Sequence, residues 1–367
     1  MAAEAHESGG GGRAGGLIPV AVVTGFLGSG KTTLINRWLR SPAFSDTVVI
    51  VNEFGDVGLD HLLFETAYDT AVLLENGCLC CTLRGDLADT LEDLARRRAS
   101  GELPAFSRCV VETTGLADPV PIVRTFLTDE RARRDWYLDR VVTVVDALAG
   151  AANLAQQTVA RHQAALADVL VISKTDLADE TRAAALAARL ADINPMARVL
   201  RSSGASLPPE EVFHAAPRPL HGHEHHDGDG HHDHDHHEDG HDHEDGAAHA
   251  GVGSVTVERS APIAWPALAR WLTSLSAFRG NDLLRLKGLA RVSGEPRPVV
   301  IQAVQHMVHP PELLERWPAG AKPATRLVAI GYGLDKAMLE KSLAAFARAE
   351  GRRAMDGAKA DKGEGRP

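Results

Sequence analysis

The chain has 367 residues and a formal net charge of −10, with 44% apolar and 24% charged residues. Its length is enough for two globular domains, its acidity argues against general nucleic-acid binding, and the lack of an apolar run of about 18 residues argues against a membrane span. Residues 1–16 contain no apolar signal-peptide core, so we expect a disordered N-terminal tail on a cytoplasmic protein.

Strand-like and helical segments alternate in the first half of the chain. Apolar, β-branched runs predict strands at 18–25, 47–53, 70–75, 108–114, 140–147 and 168–174, and helical spacing follows at 31–40. Near-continuous apolar strands that alternate with helices indicate a parallel sheet covered on both faces. The first domain, 17–206, is therefore predicted to be α/β, with a mostly parallel sheet covered by helices.

Residues 25–32, GFLGSGKT, fit the phosphate-loop pattern G-x-x-x-x-G-K-[ST] between a predicted strand and a predicted helix. Glycines in such a loop let backbone N–H groups point at phosphate; here they are Gly25, Gly28 and Gly30. Lys31 is expected to reach the β- and γ-phosphates, and the Thr32 hydroxyl to ligate Mg²⁺. The alternative is a chance match in a Gly-rich turn, but the strand–loop–helix context favours a P-loop NTPase.

The predicted strand at 108–114 carries Glu112 near its end. A carboxylate there is placed near the Mg²⁺ shell, and the segment from Thr113 to Gly115 can form a mobile loop that senses the γ-phosphate. An ordinary strand end followed by a turn is the alternative. We therefore predict catalytic roles for Lys31, Thr32 and Glu112.

The stretch VISKTDL, 171–177, ends another predicted strand. An Asn-Lys-x-Asp sequence at such a place reads guanine, because the Asp accepts two hydrogen bonds from the base and the Lys stem packs on the ring. Lys174 and Asp176 are present, whereas Ser173 replaces the Asn. Since the Asp is the principal guanine discriminator, GTP remains the favoured nucleotide.

Residues 75–86 read ENGCLCCTLRGD and contain Cys78, Cys80 and Cys81, three of the four cysteines. Thiolates suit Zn²⁺, Cu(I) and iron–sulfur clusters, and a tight cysteine cluster without a disulfide framework favours metal binding. A closed zinc site takes four ligands, so one position is left for Glu53, a His, water or a ligand on another protein. The three side chains converge only if the chain turns, for which the preceding Asn-Gly pair is suited.

Two alternatives for the cysteine cluster stay open. The cysteines could form a redox pair, although Cys-x-x-Cys is the usual spacing, or they could be buried packing residues. The fourth cysteine, Cys109, stands alone in an apolar strand and is predicted to be a core residue.

The segment 220–249 holds 12 of the 18 histidines, many carboxylates and almost no apolar residue. It is predicted to be disordered, within a linker at 207–251, because it buries too little surface to offset ordering entropy. Imidazoles bind Zn²⁺, Co²⁺ and Ni²⁺, so a weak multi-site reservoir and a plain solvated linker both stay open.

Beyond the linker, strands are predicted at 253–260, 297–308 and 325–332, and a helix at 265–275. They indicate a smaller C-terminal α+β domain at 252–349 and a charged tail at 350–367 that we expect to fray. His306 and His309 lie where a strand ends, and a structural role competes with a role in metal or client contact.

These motifs resemble, in order, those of the CobW family of metal-trafficking P-loop GTPases. The matching stretches are TGFLGSGKTTLIN, VNEFGDVGLD, ENGCLCCTLRGDL, ETTGLADP and SKTDL, and residues 283–311 resemble the family's C-terminal domain. The resemblance implies GTP and Mg²⁺ binding through Gly25, Gly28, Ser29, Gly30, Lys31, Thr32, Thr33, Gly115, Lys174 and Asp176. It also implies a transition-metal site, typically for zinc and otherwise for cobalt or nickel, made by Cys78, Cys80, Cys81 and Glu53.

The resemblance implies a GTP-hydrolysing metallochaperone that passes its metal to a client metalloprotein. The alternatives are cobalt supply for cobalamin biosynthesis, metal insertion into a nitrile hydratase-type enzyme, and, in another class, passive metal storage. A small-molecule kinase on the same fold is disfavoured by the guanine-type motif and the cysteine cluster. The sequence predicts no oligomeric state.

Hydrolysis is expected to be slow without a stimulus, because no arginine finger is evident beyond the candidates Arg84 and Arg124, and a missing finger costs about 10³–10⁵ in rate. The cysteines fall between 52–58 and 112–118, two stretches expected to rearrange on hydrolysis. We therefore expect metal affinity to depend on the bound nucleotide, and nucleotide affinity on the metal.

Overall fold

The computed structural model describes residues 16–51, 71–73, 79–82, 86–204, 206–213 and 251–363. Only the backbone is described at 71–73, 79–82 and 353–363. Several predicted features lie outside these ranges: the N-terminal tail, Glu53, Cys78, Arg84 and the histidine-rich segment.

The chain divides into two compact units. The first contains residues 1–163, 167–183 and 199–214, and the second contains 164–166, 184–198 and 215–367. The sequence predicts a first domain at 17–206, a linker at 207–251 and a second domain at 252–349; in the division of the structure, two short stretches of the first predicted domain group with the second unit.

Strands and helices alternate from Ile18 to Phe213. The strands are β1 (Ile18–Thr24), β2 (Thr47–Val51), β3 (Ala71–Leu73), β4 (Leu79–Thr82), β5 (Arg108–Glu112), β6 (Trp136–Asp146), β7 (Val169–Ser173) and β8 (Arg198–Arg201). The helices are α1 (Lys31–Trp38), α2 (Leu87–Ala99), α3 (Val120–Thr128), α4 (Glu130–Asp135), α5 (Gly150–Gln156), α6 (Thr158–Leu166), α7 (Glu180–Ile193) and α8 (Pro209–Phe213). The alternation that the sequence predicts is confirmed, and β6 begins four residues before its predicted start.

The eight strands form one sheet in the order β3-β4-β2-β5-β1-β6-β7-β8. The six strands from β4 to β7 in that order pair in parallel, and β3 is antiparallel to β4. Parallel strands bring their carboxyl ends to one edge, where ligands of open α/β sheets bind. The predicted fold class, a P-loop NTPase with a mostly parallel sheet, is confirmed.

The central strands are buried because they are apolar along their whole length. Val20, Val22 and Val23 of β1 are fully buried, as are Val110 and Val111 of β5. Cys109, also in β5, is buried in the core, as predicted. Such strands leave polar groups only at their ends, so the chemistry of this unit is confined to the edge of the sheet.

The second unit is an antiparallel sheet with two helices. Its elements are β9 (Val252–Arg259), α9 (Trp265–Arg279), β10 (Leu283–Ala290), β11 (Val299–Val304), β12 (Met307–Val308), β13 (Glu312–Leu313), β14 (Thr325–Tyr332) and α10 (Lys336–Gly363). The strand order is β12-β11-β10-β14-β9, with β13 also paired to β11. Trp271 of α9 and Leu339 of α10 are buried in the core with Leu286 and Leu327 of the sheet.

Two features of this unit differ from the sequence expectation. The segment predicted as one strand at 297–308 is β11 and β12, separated by a turn at Gln305 and His306. The helix predicted at 265–275 extends to Arg279. The charged tail predicted at 350–367 includes the last part of α10, which continues to Gly363. Within the described residues, no helix is long and apolar enough to cross a membrane.

Candidate nucleotide site

The loop between β1 and α1 has the backbone that a phosphate cradle requires. Gly25, Gly28 and Gly30 have φ of 144°, 71° and 92°, a region that favours glycine. A Cβ at Gly25 would lie 2.2 Å from the carbonyl oxygen of Val144 in β6, so no larger residue fits there. The helix α1 then begins at Lys31, and its N-terminal N–H groups and dipole favour a bound anion.

Lys31 is buried beneath this loop. Its Nζ donates to the carbonyl oxygens of Gly25 at 2.7 Å and Phe26 at 3.3 Å. Burial lowers the pKa of Lys31 from its ordinary value, and the negative charge of Glu112 partly opposes that shift. A phosphate anion bound beside the amine would favour its charged form, so anion binding and protonation of Lys31 support each other.

Thr32 and Glu112 meet at the edge of the sheet although they are far apart in sequence. The Thr32 hydroxyl donates to Glu112 Oε1 at 2.7 Å, and the Glu112 side chain is buried. Carboxylate and hydroxyl oxygens are the hard donors that Mg²⁺ prefers, so this pair fits a magnesium site. A magnesium ion held there would help to neutralise the charge of the phosphates.

The segment after β5 packs directly against the phosphate loop. Thr113 donates its N–H to Val23 O at 3.0 Å and its hydroxyl to Thr24 Oγ1 at 2.8 Å. A Cβ at Gly115 would lie 2.7 Å from the backbone of Leu27, so only glycine allows this approach. Residues 113–118, here called the switch loop, therefore lie in direct contact with the end of β1 and the phosphate loop.

The end of β7 is fastened to the same loop. Ser173 Oγ donates to Ser29 O at 2.6 Å, and Lys174 Nζ donates to Gly28 O at 2.7 Å. Lys174, at φ 56°, also forms an ion pair with Asp146 at the end of β6. The guanine-type motif and the phosphate loop thus share hydrogen bonds at the carboxyl edge of the sheet.

Asp176 is held by the backbone of a neighbouring segment, because its Oδ1 accepts from the N–H of Gly204 at 2.8 Å. This bond orients the carboxylate that the motif assigns to the base. The strand β7 ends at Ser173, and Lys174 and Asp176 lie in the segment just after it.

The cysteine segment lies on the same sheet. Cys80 and Cys81 belong to β4, where their backbones are in register with Val49 and Ile50 of β2. The turn expected at the Asn-Gly pair falls outside the described residues, as do Cys78 and Glu53. The side chains of Cys80 and Cys81 are not described either. Among the side chains that are described, no three His, Cys, Asp or Glu residues form a metal-binding group.

Three side chains near the site were not singled out by sequence. Asp146 could have been found, because it ends an apolar strand in the same way as Glu112. His162 and Gln163 of α6 contact the switch loop, and no sequence pattern marks them. Of the two candidate arginine fingers, Arg124 lies exposed on α3 and Arg84 lies outside the described residues.

In the second unit, His306 is engaged in structural contacts. Its Nδ1 lies 2.8 Å from Ser276 O and its Nε2 lies 3.0 Å from Asn281 Oδ1. These contacts fasten the turn between β11 and β12 to the end of α9 and favour the structural role. The N–H of His309 donates to Gln302 O at 2.9 Å.

Comparisons with known proteins match both units. Residues 19–201 match the CobW/HypB/UreG nucleotide-binding domain, and residues 252–347 match the cobalamin synthesis protein cobW C-terminal domain. Zinc chaperone YjiA of Escherichia coli (strain K12) is 32% identical over 330 residues, which cover 90% of this chain and 98% of the relative. Zinc chaperone CobW of Pseudomonas aeruginosa is 32% identical over 366 residues, covering 89% and 90%.

Among solved structures, the crystal structure of the Zn(II)-bound YjiA GTPase from E. coli is similar with a TM-score of 0.65 and 29% identity. The similarity covers 90% of this chain and 99% of that one. Both domains, their order and nearly the whole length agree with these relatives. The chain therefore belongs to the CobW family of P-loop GTPases.

Proposed function

We propose that this protein is a GTP-hydrolysing metallochaperone, which binds a transition metal at Cys78, Cys80 and Cys81 and transfers it to a client metalloprotein. Zinc is the first candidate for the metal, and Glu53 is the candidate fourth ligand. The protein would work in the cytoplasm, where thiolates stay reduced. Mg²⁺ at Thr32 and Glu112 would assist hydrolysis.

One observation carries this proposal: β4, which contains Cys80 and Cys81, and β5, which contains Glu112, lie on opposite sides of β2. In β2, Val51 is in register with Thr82 of β4 on one side and with Glu112 of β5 on the other. Neighbouring strands lie about 4.8 Å apart, so the backbones of Thr82 and Glu112 are about 10 Å apart. A movement of β5 during the nucleotide cycle would therefore be transmitted to Cys81 of β4 through β2, the only strand between them.

The nucleotide chemistry of the proposal rests on the contacts around the phosphate loop. The glycine backbone and Lys31 bind phosphates, and Lys174 and Asp176 read the base. We propose slow intrinsic hydrolysis, because Arg124 is exposed on α3 and Gln163 is engaged in bonds to the switch loop. Metal or client binding would then be the stimulus.

The names of the relatives support zinc. YjiA and the Pseudomonas CobW are named zinc chaperones, and the YjiA crystal structure is zinc-bound. Cobalt or nickel cargo, including cobalt supply for cobalamin biosynthesis or a nitrile hydratase-type enzyme, is the neighbouring alternative. Passive storage is disfavoured by the intact phosphate loop.

The test is an anaerobic chelator-competition titration of Zn²⁺ on protein lacking residues 220–249. It is run with GDP and with a non-hydrolysable GTP analogue. We expect one stoichiometric site whose affinity is about 5-fold or more higher with the analogue, the range typical of coupled sites.

The variant Cys78→Ala/Cys80→Ala/Cys81→Ala should lose this site. Cys109→Ala is the matched control, since Cys109 is the fourth cysteine and lies buried in β5. Equal zinc affinity in both nucleotide states would refute a nucleotide-gated chaperone and point to a metal buffer. Loss of the site in Cys109→Ala would refute the assignment of the ligands.

A further inference from the structure

Gln163 on α6 binds the switch loop through its side-chain amide. Its side chain is 1% exposed, and its Nε2 donates to the carbonyl oxygens of Gly115 at 3.3 Å and Ala117 at 3.1 Å. The main-chain carbonyl of Gln163 accepts from Thr143 Oγ1 at 2.6 Å, which fixes α6 to β6. One buried residue therefore joins the central sheet, through its backbone, to two peptide groups of the switch loop, through its side-chain amide.

These two bonds decide which way the loop peptides point. A trans peptide places its N–H opposite its C=O. With the carbonyl groups of Gly115 and Ala117 turned to α6, the N–H groups of Leu116 and Asp118 point away from that helix. The amide of Gln163 thus sets the orientation of backbone donors in the loop that packs on the phosphate loop.

A neighbouring contact fixes the same loop at its far end. His162 Nδ1 lies 2.8 Å from Asp118 Oδ2, and Asp118 Oδ1 accepts from the N–H of Val120 at 3.0 Å. Consecutive residues of α6 therefore hold the switch loop at Gly115, Ala117 and Asp118.

Gln163 also lines a small void that extends to the phosphate loop. The void has room for about one water molecule, and its walls include Phe26, Ser29, Asn153 and Gln163. Ser29 Oγ and Gln163 Oε1 are both buried and have no hydrogen-bond partner within the described residues. Two polar atoms without partners at one water-sized void are suited to share a single water.

We propose that Gln163 is the positioning residue that presents the switch loop to the γ-phosphate, with one buried water joining its amide oxygen to Ser29. The inference rests on the GTP-dependent function proposed above and adds the element that makes the loop distinguish GTP from GDP. Gln163 touches neither nucleotide nor metal in this scheme. It acts by holding the donors of the loop in place before the phosphate arrives.

The experiment compares the affinities of full-length wild type and Gln163→Met for GDP and for a non-hydrolysable GTP analogue. Methionine keeps the length of the side chain but removes the donor. We expect the preference for the analogue over GDP to fall about 5-fold or more, with GDP affinity unchanged. Gln163→Glu, which replaces the donor by a carboxylate, should act in the same direction and serves if the methionine variant does not fold.

Asn194→Leu is the matched control. Asn194 is also a fully buried amide, and its Nδ2 donates to the carbonyl oxygens of Ala164 and Ala165, away from the switch loop. The Asn194→Leu variant should have lower thermal stability but an unchanged preference for the GTP analogue over GDP. An equal change in Asn194→Leu, or none in either Gln163 variant, would overturn the inference. A wild type that binds neither nucleotide would instead overturn the proposed function.

The water link has its own readout in a double-mutant cycle. If Ser29 and Gln163 act through one shared water, Ser29→Ala combined with Gln163→Met should reduce the analogue preference no further than the stronger single variant does. Additive losses would refute the link, since independent sites add.

Discussion

At the scale of single residues, Ser173 explains how a departure from the usual guanine motif is accommodated. Its hydroxyl donates to Ser29 O at 2.6 Å and is buried at the end of β7. The serine therefore ties the base-reading segment to the phosphate loop, while Lys174 adds a second tie through Gly28 O. In the proposed function, recognition of the base then falls to Asp176 and to the stem of Lys174.

The first prediction concerns this tie. Ser173→Ala should weaken the binding of GDP and of the GTP analogue by the same factor, about 5-fold, because a net hydrogen bond is worth about 1 kcal/mol. The bond from Ser173 to Ser29 supports the phosphate loop whichever nucleotide is bound. Titration with fluorescent nucleotides measures the change, and the preference for guanine over adenine should be unaffected. A selective loss of guanine preference would show that Ser173 reads the base instead.

At the scale of elements, the strand pattern was readable because β1, β2, β5 and β7 consist mostly of buried apolar residues, whereas the polar start of β6, which includes Asp139, was missed. No strand was predicted at β10, because Arg285 and Lys287 interrupt its apolar run. The phosphate loop was predictable because its requirements are local. The contacts of Gln163 and Asp118 were not, because they depend on how α6 packs on the switch loop.

The second prediction is a pH dependence of the tie between Asp118 and His162. Burial alone would raise the pKa of Asp118, but the hydrogen bonds from His162 and Val120 and the charge of His162 outweigh it and lower that pKa. The carboxylate therefore stabilises the fold above the ordinary Asp pKa of about 3.9, and this stabilisation is lost as pH falls through the lowered value.

Asp118→Asn should thus be less stable than wild type near neutral pH, by less than about 1 kcal/mol because the pair is partly exposed. The difference should begin to shrink below about pH 4 and close as the pH falls through the lowered pKa of Asp118. Urea unfolding across this pH range measures it, with Glu130→Gln, an exposed carboxylate of α4, as the control. A difference that persists at the lowest pH would contradict the assignment.

At the scale of the whole molecule, a histidine-rich segment separates the nucleotide-binding and C-terminal domains in sequence. Its 12 histidines and many carboxylates are ordinary ligands for divalent metals, whereas Cys80 and Cys81 belong to a strand of the sheet. The two sets of ligands should therefore differ in affinity and in their response to nucleotide.

The third prediction separates these sets. Deletion of residues 220–249 should abolish the binding of several weakly held zinc ions. It should leave both the single tight zinc site and the rate of GTP hydrolysis unchanged. Metal analysis after equilibrium dialysis, together with phosphate release, measures the two properties. Loss of the tight site on deletion would assign it to the histidines rather than to the cysteines.

The short helix α1 has a further consequence. It runs for eight residues, from Lys31 beneath the phosphate loop to Trp38, a length of about 12 Å. The indole is buried, donates to Leu207 O at 2.8 Å and lies edge-on to Phe213, with ring centroids 5.1 Å apart. Any movement of α1 on phosphate binding changes the surroundings of this fluorophore, so the protein carries its own optical reporter of the nucleotide site.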